Sequence, residues 1–389
     1  MQEDAKWFES DEIDEEDEFA VTEYDIVSSP NDFNVSTLFN LVESGVVKLP
    51  PFQRNFVWDI KRASRLIESL IIGLPIPQLF LYEQERNRFL VIDGQQRLMS
   101  IYYFMKLRFP KSSKRSALRR KLIEDSLEHP SSLLSDNEFF SGFRLNLPSD
   151  PEFPPNPLDK LDYETLGDLQ ANFALRTVRC IVVKQVSPAG MDSIYEIFNR
   201  LNSGGVNLAA QEIRMAIYHS AFMSMLTRLN FDERWRSLVG KDDADIHLRD
   251  VEFLLRGVAL LADGESYRPS MTRFLNGFSA KATTYEATYV DFIENLIDGF
   301  LDAAEALGPG AFQGPTGRFT VTIFDAVFTG ACGPAYEQQS TDVDQIEPDQ
   351  LAALKADEEF IESSQYRTTG AGNVKTRIRL ARHYLAGDN

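Results

Sequence analysis

Arg88-Phe89-Leu90-Val91-Ile92-Asp93-Gly94-Gln95-Gln96-Arg97-Leu98 sets an extended apolar run directly against a helix-patterned one, with a polar turn between them. Residues 89–92 have the unbroken apolar character of a strand, whereas Leu98, Ile101, Tyr102 and Met105 recur at spacings of three and four, the period of a helix face. A strand that passes through one glycine into a helix implies a sheet with helices laid on it. It also implies a chemistry. The first N–H groups of a helix have no intrahelical acceptor and sit at the positive end of the macrodipole, so such a turn attracts anions, phosphate above all. Gly94 permits a tight turn or a close ligand, Arg97 adds a guanidinium fork, and Asp93 is suited to a hydrated Mg²⁺ or a ribose hydroxyl. The competing reading is a solvated turn closed by an arginine salt bridge.

Working outward, Leu79-Phe80-Leu81-Tyr82 reads as the partner strand of this run across a polar turn at Gln84 to Asn87. Before it, Asp59 is placed to cap a helix whose apolar face is Ala63, Leu66, Ile67, Leu70 and Ile71 and which Gly73 stops; residues 34–43 form an earlier helix stopped by Gly45. Residues 110–160 are rich in Ser and Pro and read as an insertion with one basic helix. Arg179-Cys180-Ile181-Val182-Val183 returns to strand character and completes the sheet. From 189 onward the period is 3.6, as in Val251, Leu254, Leu255 and Val258 or Phe292, Leu296, Ile297 and Phe300. The expected organisation is an acidic disordered tail over 1–30, a sheet-and-helix domain over 31–188, and a helical domain over 189–389: an α+β chain. Asn276 and Asp325 are read as helix caps. Between two helices lies Phe198-Asn199-Arg200-Leu201-Asn202-Ser203-Gly204-Gly205, where Arg200 and Asn202 would project from one junction, suited to closing over a polar ligand.

The net charge of −19 opposes broad attraction to nucleic acid, which depends on neutralising phosphates. That charge is uneven. Residues 1–25 hold twelve Asp or Glu and one Lys, while Lys106, Arg108, Lys111, Lys114, Arg115, Arg119, Arg120 and Lys121 run without an acidic interruption. The basic run reads either as a nucleic-acid-facing patch or as a solvated helix face or docking strip for the acidic tail. Two distant cysteines, Cys180 and Cys332, give no disulfide framework, and the four histidines have no metal-ligand spacing. There is no membrane span and no secretory start, so the default expectation is a cytoplasmic protein.

Three segments together are more specific than any one turn. Leu49-Pro50-Pro51-Phe52-Gln53-Arg54-Asn55-Phe56-Val57-Trp58, then Val91 to Leu98 around Asp93-Gly94-Gln95-Gln96-Arg97, then Glu196 to Gly205 resemble, in order and spacing, the ParB-like domain at the start of GmrSD-type modification-dependent restriction enzymes. Weaker agreement continues through Tyr267-Arg268-Pro269-Ser270-Met271, Arg318-Phe319 with Phe324-Asp325-Ala326, and Thr368-Thr369-Gly370 with Arg377-Ile378.

That resemblance implies a ParB/sulfiredoxin-like core followed by helices, with an NTP and Mg²⁺ bound near the Asp-Gly-Gln-Gln-Arg turn and NTP hydrolysis coupled to DNA restriction in phage defence. The residues carried over are Gln53, Arg54, Gly94, Arg97, Arg200 and Asn202 for the nucleotide, with Asp93, Gln95, Gln96 and Arg97 as the catalytic set. Arg54 and Arg97 would bind phosphate oxygens, Asp93 would place the metal, and Gln95 or Gln96 would orient the attacking water. Longer enzymes of this kind continue into a nuclease domain with a His-Asn-His type centre, and no such histidine cluster occurs here. The expected partners are therefore DNA and a separately encoded nuclease, with no membrane and a homo-oligomer left open. Two alternatives stand: a nucleotide- or DNA-binding regulatory module without turnover, and a stand-alone ParB-like DNA nuclease.

Overall fold

The computed structural model describes residues 7–9, 25–48, 56–124, 133–148, 154–187, 209–245 and 247–386. They fall into two compact units, one within residues 23–208 with 215–217, the other within 1–22, 209–214 and 218–389. The chain is α+β, with its sheet in the N-terminal part and a mainly helical C-terminal part.

Numbering strands along the chain from β1 (Phe8–Glu9), the first unit is built on a five-stranded sheet. Its spatial order is β2 (Asp25–Asn34), β8 (Thr177–Ser187), β4 (Leu79–Glu85), β5 (Arg88–Asp93) and β3 (Val47–Lys48). The sheet is mixed: β2 with β8 and β4 with β5 are antiparallel, whereas β4 with β8 and β3 with β5 are parallel. The hairpin between β4 and β5 is tighter than the sequence implied. Glu85 pairs with Arg88, which leaves two residues in the turn, and the second of them, Asn87, takes a positive φ (60°), which asparagine tolerates better than most residues.

Helix α1 (Val35–Glu43) starts on Asn34, whose Oδ1 accepts from Thr37 N–H at 2.7 Å, and Gly45 follows its end at φ 72°. Helix α2 (Ile60–Ile72) starts on Asp59 and ends on Gly73 at φ 87°, as its sequence signals require. Helix α3 (Gln95–Met105) differs from both. Residues 98–104 of α3 are all buried, so it is the central element of this unit and not a surface helix with one apolar stripe. Aromatic rings fill the space around it: Phe39 stacks on Tyr102 at 5.6 Å, Phe56 meets Tyr103 edge-on at 5.2 Å, and Phe104 meets Phe143 and Phe173 at 5.3 and 5.6 Å. Glu43 ties α1 to α3, accepting from Tyr102 Oη at 3.0 Å and from Lys106 Nζ at 2.7 Å.

The insertion contains β6 (Arg108–Pro110) and β7 (Phe140–Gly142), an antiparallel pair, and the basic helix α4 (Arg115–Glu124).

Two parts of the expected tail over 1–30 are strands. Asp25–Asn34 is β2, and β1 pairs in parallel with β9 (Phe319–Thr320) of the helical unit. Trp7 and Phe8 explain the second correction. Their rings pack on Phe253 at 5.9 and 5.8 Å, and Trp7 Nε1 donates to Asp245 at 3.0 Å. Two adjacent aromatics bury enough apolar area to hold a short strand within an acidic run. Asn276 and Asp325 are also corrected, since each lies inside a helix, Met271–Ala282 and Val321–Glu337, and is buried.

Candidate functional site

The end of β5 delivers Asp93 to the N-terminus of α3 through Gly94, whose φ of 92° lies in the left-handed region. A Cβ at this position would collide with Leu79 Cδ2 on β4, so glycine is demanded by backbone conformation and by packing together. Asp93 Oδ1 accepts from Gly94 N–H at 2.7 Å and Oδ2 from Arg97 Nη2 at 2.7 Å. Arg97 Nη1 donates to the carbonyls of Pro77 and Gln78 at 2.6 and 3.0 Å, and its side chain is 12% exposed. The guanidinium thus joins α3 to the segment entering β4. Much of its donor capacity is spent inside the protein, so Arg97 holds the turn in place, and Asp93, 38% exposed, faces solvent beside it.

The two glutamines have different surroundings. Gln96 Oε1 accepts from Val57 N–H at 2.9 Å and Trp58 N–H at 3.3 Å, which makes it a tie between α3 and the segment before α2. Gln95 Nε2 is buried and has no hydrogen-bond partner among the described residues. Among the described residues no side chain caps α3, and the first backbone bond back to the turn is Leu98 N–H to Gly94 O at 2.9 Å. The turn therefore offers an open helix N-terminus, an idle buried amide donor and one half-exposed carboxylate. That set suits a phosphate group.

Of the other expected site residues, Gln53, Arg54, Arg200 and Asn202 lie outside the described residues. No group of three or more His, Cys, Asp or Glu among the described residues is placed to hold a metal ion. Asp93 alone fits the way Mg²⁺ is met in nucleotide sites, where phosphates and waters fill most of its octahedron and one carboxylate suffices. Two clefts of this unit lie elsewhere. One of about 550 Å³ is lined by Leu74, Pro75, Ile76, Arg176 and Arg179, another of about 840 Å³ by Ile72, Pro154, Pro155 and Leu158. Neither of these two contains the Gly94 turn.

The basic run is engaged within its own unit. Arg108 donates to Leu134 O at 2.6 Å and to Asn137 Oδ1 at 2.9 Å, Lys111 to Asn137 O at 2.6 Å, Lys114 to Glu138 at 3.0 Å, and Lys106 pairs with Glu43. Arg108, Lys111 and Lys114 thus organise the insertion around residues 133–140, so these cations do not form a free row of charge.

The family model for the GmrSD restriction endonuclease N-terminal domain matches residues 35–219. Residues 35–219 belong to that family. The chain thus carries a GmrSD-type domain whose matched stretch includes the Gly94 turn and excludes the segments from Tyr267 onward. An uncharacterized protein of Methanocaldococcus jannaschii is 34% identical over 94 residues, covering 18% of this chain and 16% of that relative's length. No solved structure gives a significant match. No helix among the described residues is long and apolar enough to cross a membrane.

Sequence reasoning missed a second polar cluster, in the helical unit. Arg214, 1% exposed, donates to Asn276 Oδ1 at 2.9 Å, Glu252 at 3.1 Å and Gln211. Arg236 pairs with buried Asp250 at 2.8 Å, and Arg256 with buried Asp325 at 2.7 Å. His247 Nδ1 lies 3.1 Å from Glu212 Oε2, which also accepts Ala209 N–H at 2.7 Å; the Glu212 carboxylate raises the His247 pKa above its ordinary value against the opposing effect of burial. Arginines spaced three or four from apolar residues were the available signal. On a helix that pattern looks the same whether the arginine snorkels outward or is paired inside.

Proposed function

We propose that this chain is the NTP-binding and NTP-hydrolysing component of a modification-dependent DNA restriction or phage-defence system, acting with a separately encoded nuclease. The observation that carries the reading is the open N-terminus of α3, with the idle Gln95 amide beside it, inside a GmrSD-type domain. In this reading the N–H groups of residues 95–97 and Gln95 Nε2 hold phosphate oxygens. Asp93 and Arg97 keep the turn in its binding geometry, and Asp93 presents its exposed edge to the cation that the triphosphate brings. Mg²⁺ bound there would offset charge on the phosphate oxygens. Gln95 is the glutamine left to orient water, because the Gln96 oxygen already serves Val57 and Trp58.

A second reading, nucleotide binding without turnover, is favoured by one fact: both Asp93 oxygens are already hydrogen-bonded, which weakens its capacity as a general base. Phosphate release from ATP, GTP, CTP and UTP with Mg²⁺, alongside calorimetric binding, separates the two. Turnover that Asp93→Asn and Gln95→Ala both abolish, with melting curves unchanged, is the expected result. Binding without release in the wild type leaves the second reading, and no binding of any of the four sinks both.

A further inference from the structure

We propose that Arg115, from the basic insertion, is a positioning residue for the phosphate site: it fixes residues 56–58 against the first turn of α3. The proposal rests on the nucleotide reading of that turn. Val57 and Trp58 lie outside helix and strand, so no ladder fixes their backbone. Side chains do so from both edges. Gln96 Oε1 takes the two N–H groups at 2.9 and 3.3 Å, while Arg115 Nη1 and Nη2 donate to Val57 O at 3.0 Å and Trp58 O at 2.6 Å. One planar fork spans two successive carbonyls, a match that the point charge of lysine cannot reproduce. Beneath the grip the Phe56 ring is buried edge-on to Tyr103 and Phe109 at 5.2 and 5.3 Å, with the Arg115 guanidinium 6.0 Å from its centre. Arg62 lies over the Trp58 ring at 4.6 Å.

The grip has a cost. Desolvation lowers the Arg115 pKa even though Asp59 and Tyr103 oppose the shift, and Nε is buried without a partner among the described residues. Arg115 is partly buried, so some of its hydration is given up to hold the loop. The expense is intelligible where the geometry matters. Gln96 is the second residue of α3, so whatever fixes Val57 and Trp58 also fixes the side chain that leaves the N-terminal turn, and with it how that turn packs on residues 56–58.

The test compares wild type with Arg115→Gln and Arg115→Lys, and with Lys114→Gln as a control that removes only the neighbouring pair with Glu138. Amide exchange of Val57 and Trp58 reads the grip, and KM against kcat for Mg²⁺ with ATP, GTP, CTP and UTP reads the positioning. For Arg115→Gln we expect faster exchange and a KM raised about tenfold, the equivalent of one net hydrogen bond of about 1.4 kcal/mol, with kcat changed less. Lysine keeps the charge and the stem, so it should fold if glutamine does not, and it should recover only part of either effect. Unchanged exchange in both variants overturns the grip. Faster exchange with an unchanged KM makes Arg115 purely structural and overturns the positioning role. If the wild type neither binds nor turns over any of the four nucleotides, the proposal falls with the reading of the site, and the exchange data still show whether the grip exists.

Discussion

The Gly94 turn and the arginine cluster of the helical unit use the same residue types to opposite ends. At the turn, Arg97 and Asp93 meet at a half-exposed ion pair that leaves an open helix N-terminus and an idle amide beside it. In the helical unit, Arg214, Arg236 and Arg256 are buried with Asn276, Asp250 and Asp325. The first arrangement leaves backbone donors open, which is what the proposed phosphate site uses. The second turns most of its charges on one another and ties helices together, although Gln211 Nε2 and Arg236 Nε are buried without a hydrogen-bond partner among the described residues. An arginine beside an aspartate therefore marks neither binding nor structure until burial is known.

Breaking a buried pair should give the largest effect. Asp325→Ala removes the buried carboxylate that Arg256 Nε meets at 2.7 Å and should cost the helical unit about 3–5 kcal/mol, seen as an earlier denaturant transition that leaves the sheet unit's transition in place. A loss under about 1 kcal/mol would show that the cluster is not what holds that unit. Next comes Gly94→Ala, which must adopt a left-handed φ and push Leu79 aside; about 3 kcal/mol should be lost from the sheet unit. If the variant melts like wild type, the turn is not the strained close approach described here. Gln96→Ala leaves two N–H groups without their acceptor and should cost about 2 kcal/mol, less if water replaces the amide; stability and Val57 exchange measured together distinguish these.

The smallest expected effect is a pH dependence from His247. Its folded pKa is raised by Glu212 above the unfolded value near 6.5, so the pair's contribution is fully present below about pH 6.5 and is lost as pH rises through the folded value. Asp245 adds to the shift and Arg249 opposes it. Stability followed from pH 6 to 9 should fall through this window in wild type and stay flatter in Glu212→Gln. An identical profile in the two proteins would remove the pair from the account.

Local signals were legible wherever the physics was local. Asp59, Gly73 and Gly45 bound their helices as read, because caps and left-handed stops act within a few residues. The strand, glycine, helix succession at 88–105 was read from period and glycine placement alone. The tail was misread at Trp7 and Phe8 because averaged acidity hides a pair of aromatics that find partners over two hundred residues away, and at β2 because its pairing strand, β8, is remote in sequence. Asn276 and Asp325 were misread as caps for the same reason: nothing in their immediate neighbours announces an arginine on another helix.

The sequence by itself determined that Gly94 stands between a buried strand and a helix, that the chain is α+β, and that Asp93 to Arg97 form the candidate site, since each follows from periodicity and backbone chemistry over short spans. Only the tertiary structure decided which of those side chains are at liberty. Arg97 is spent on Pro77 and Gln78 and Gln96 on Val57 and Trp58, Arg108, Lys111 and Lys114 are engaged within the insertion, and among the described residues of the turn Gln95 keeps an idle donor. A side chain's hydrogen-bond capacity is fixed by its type, but how much of it remains for a ligand depends on groups brought near by folding, which no local pattern encodes.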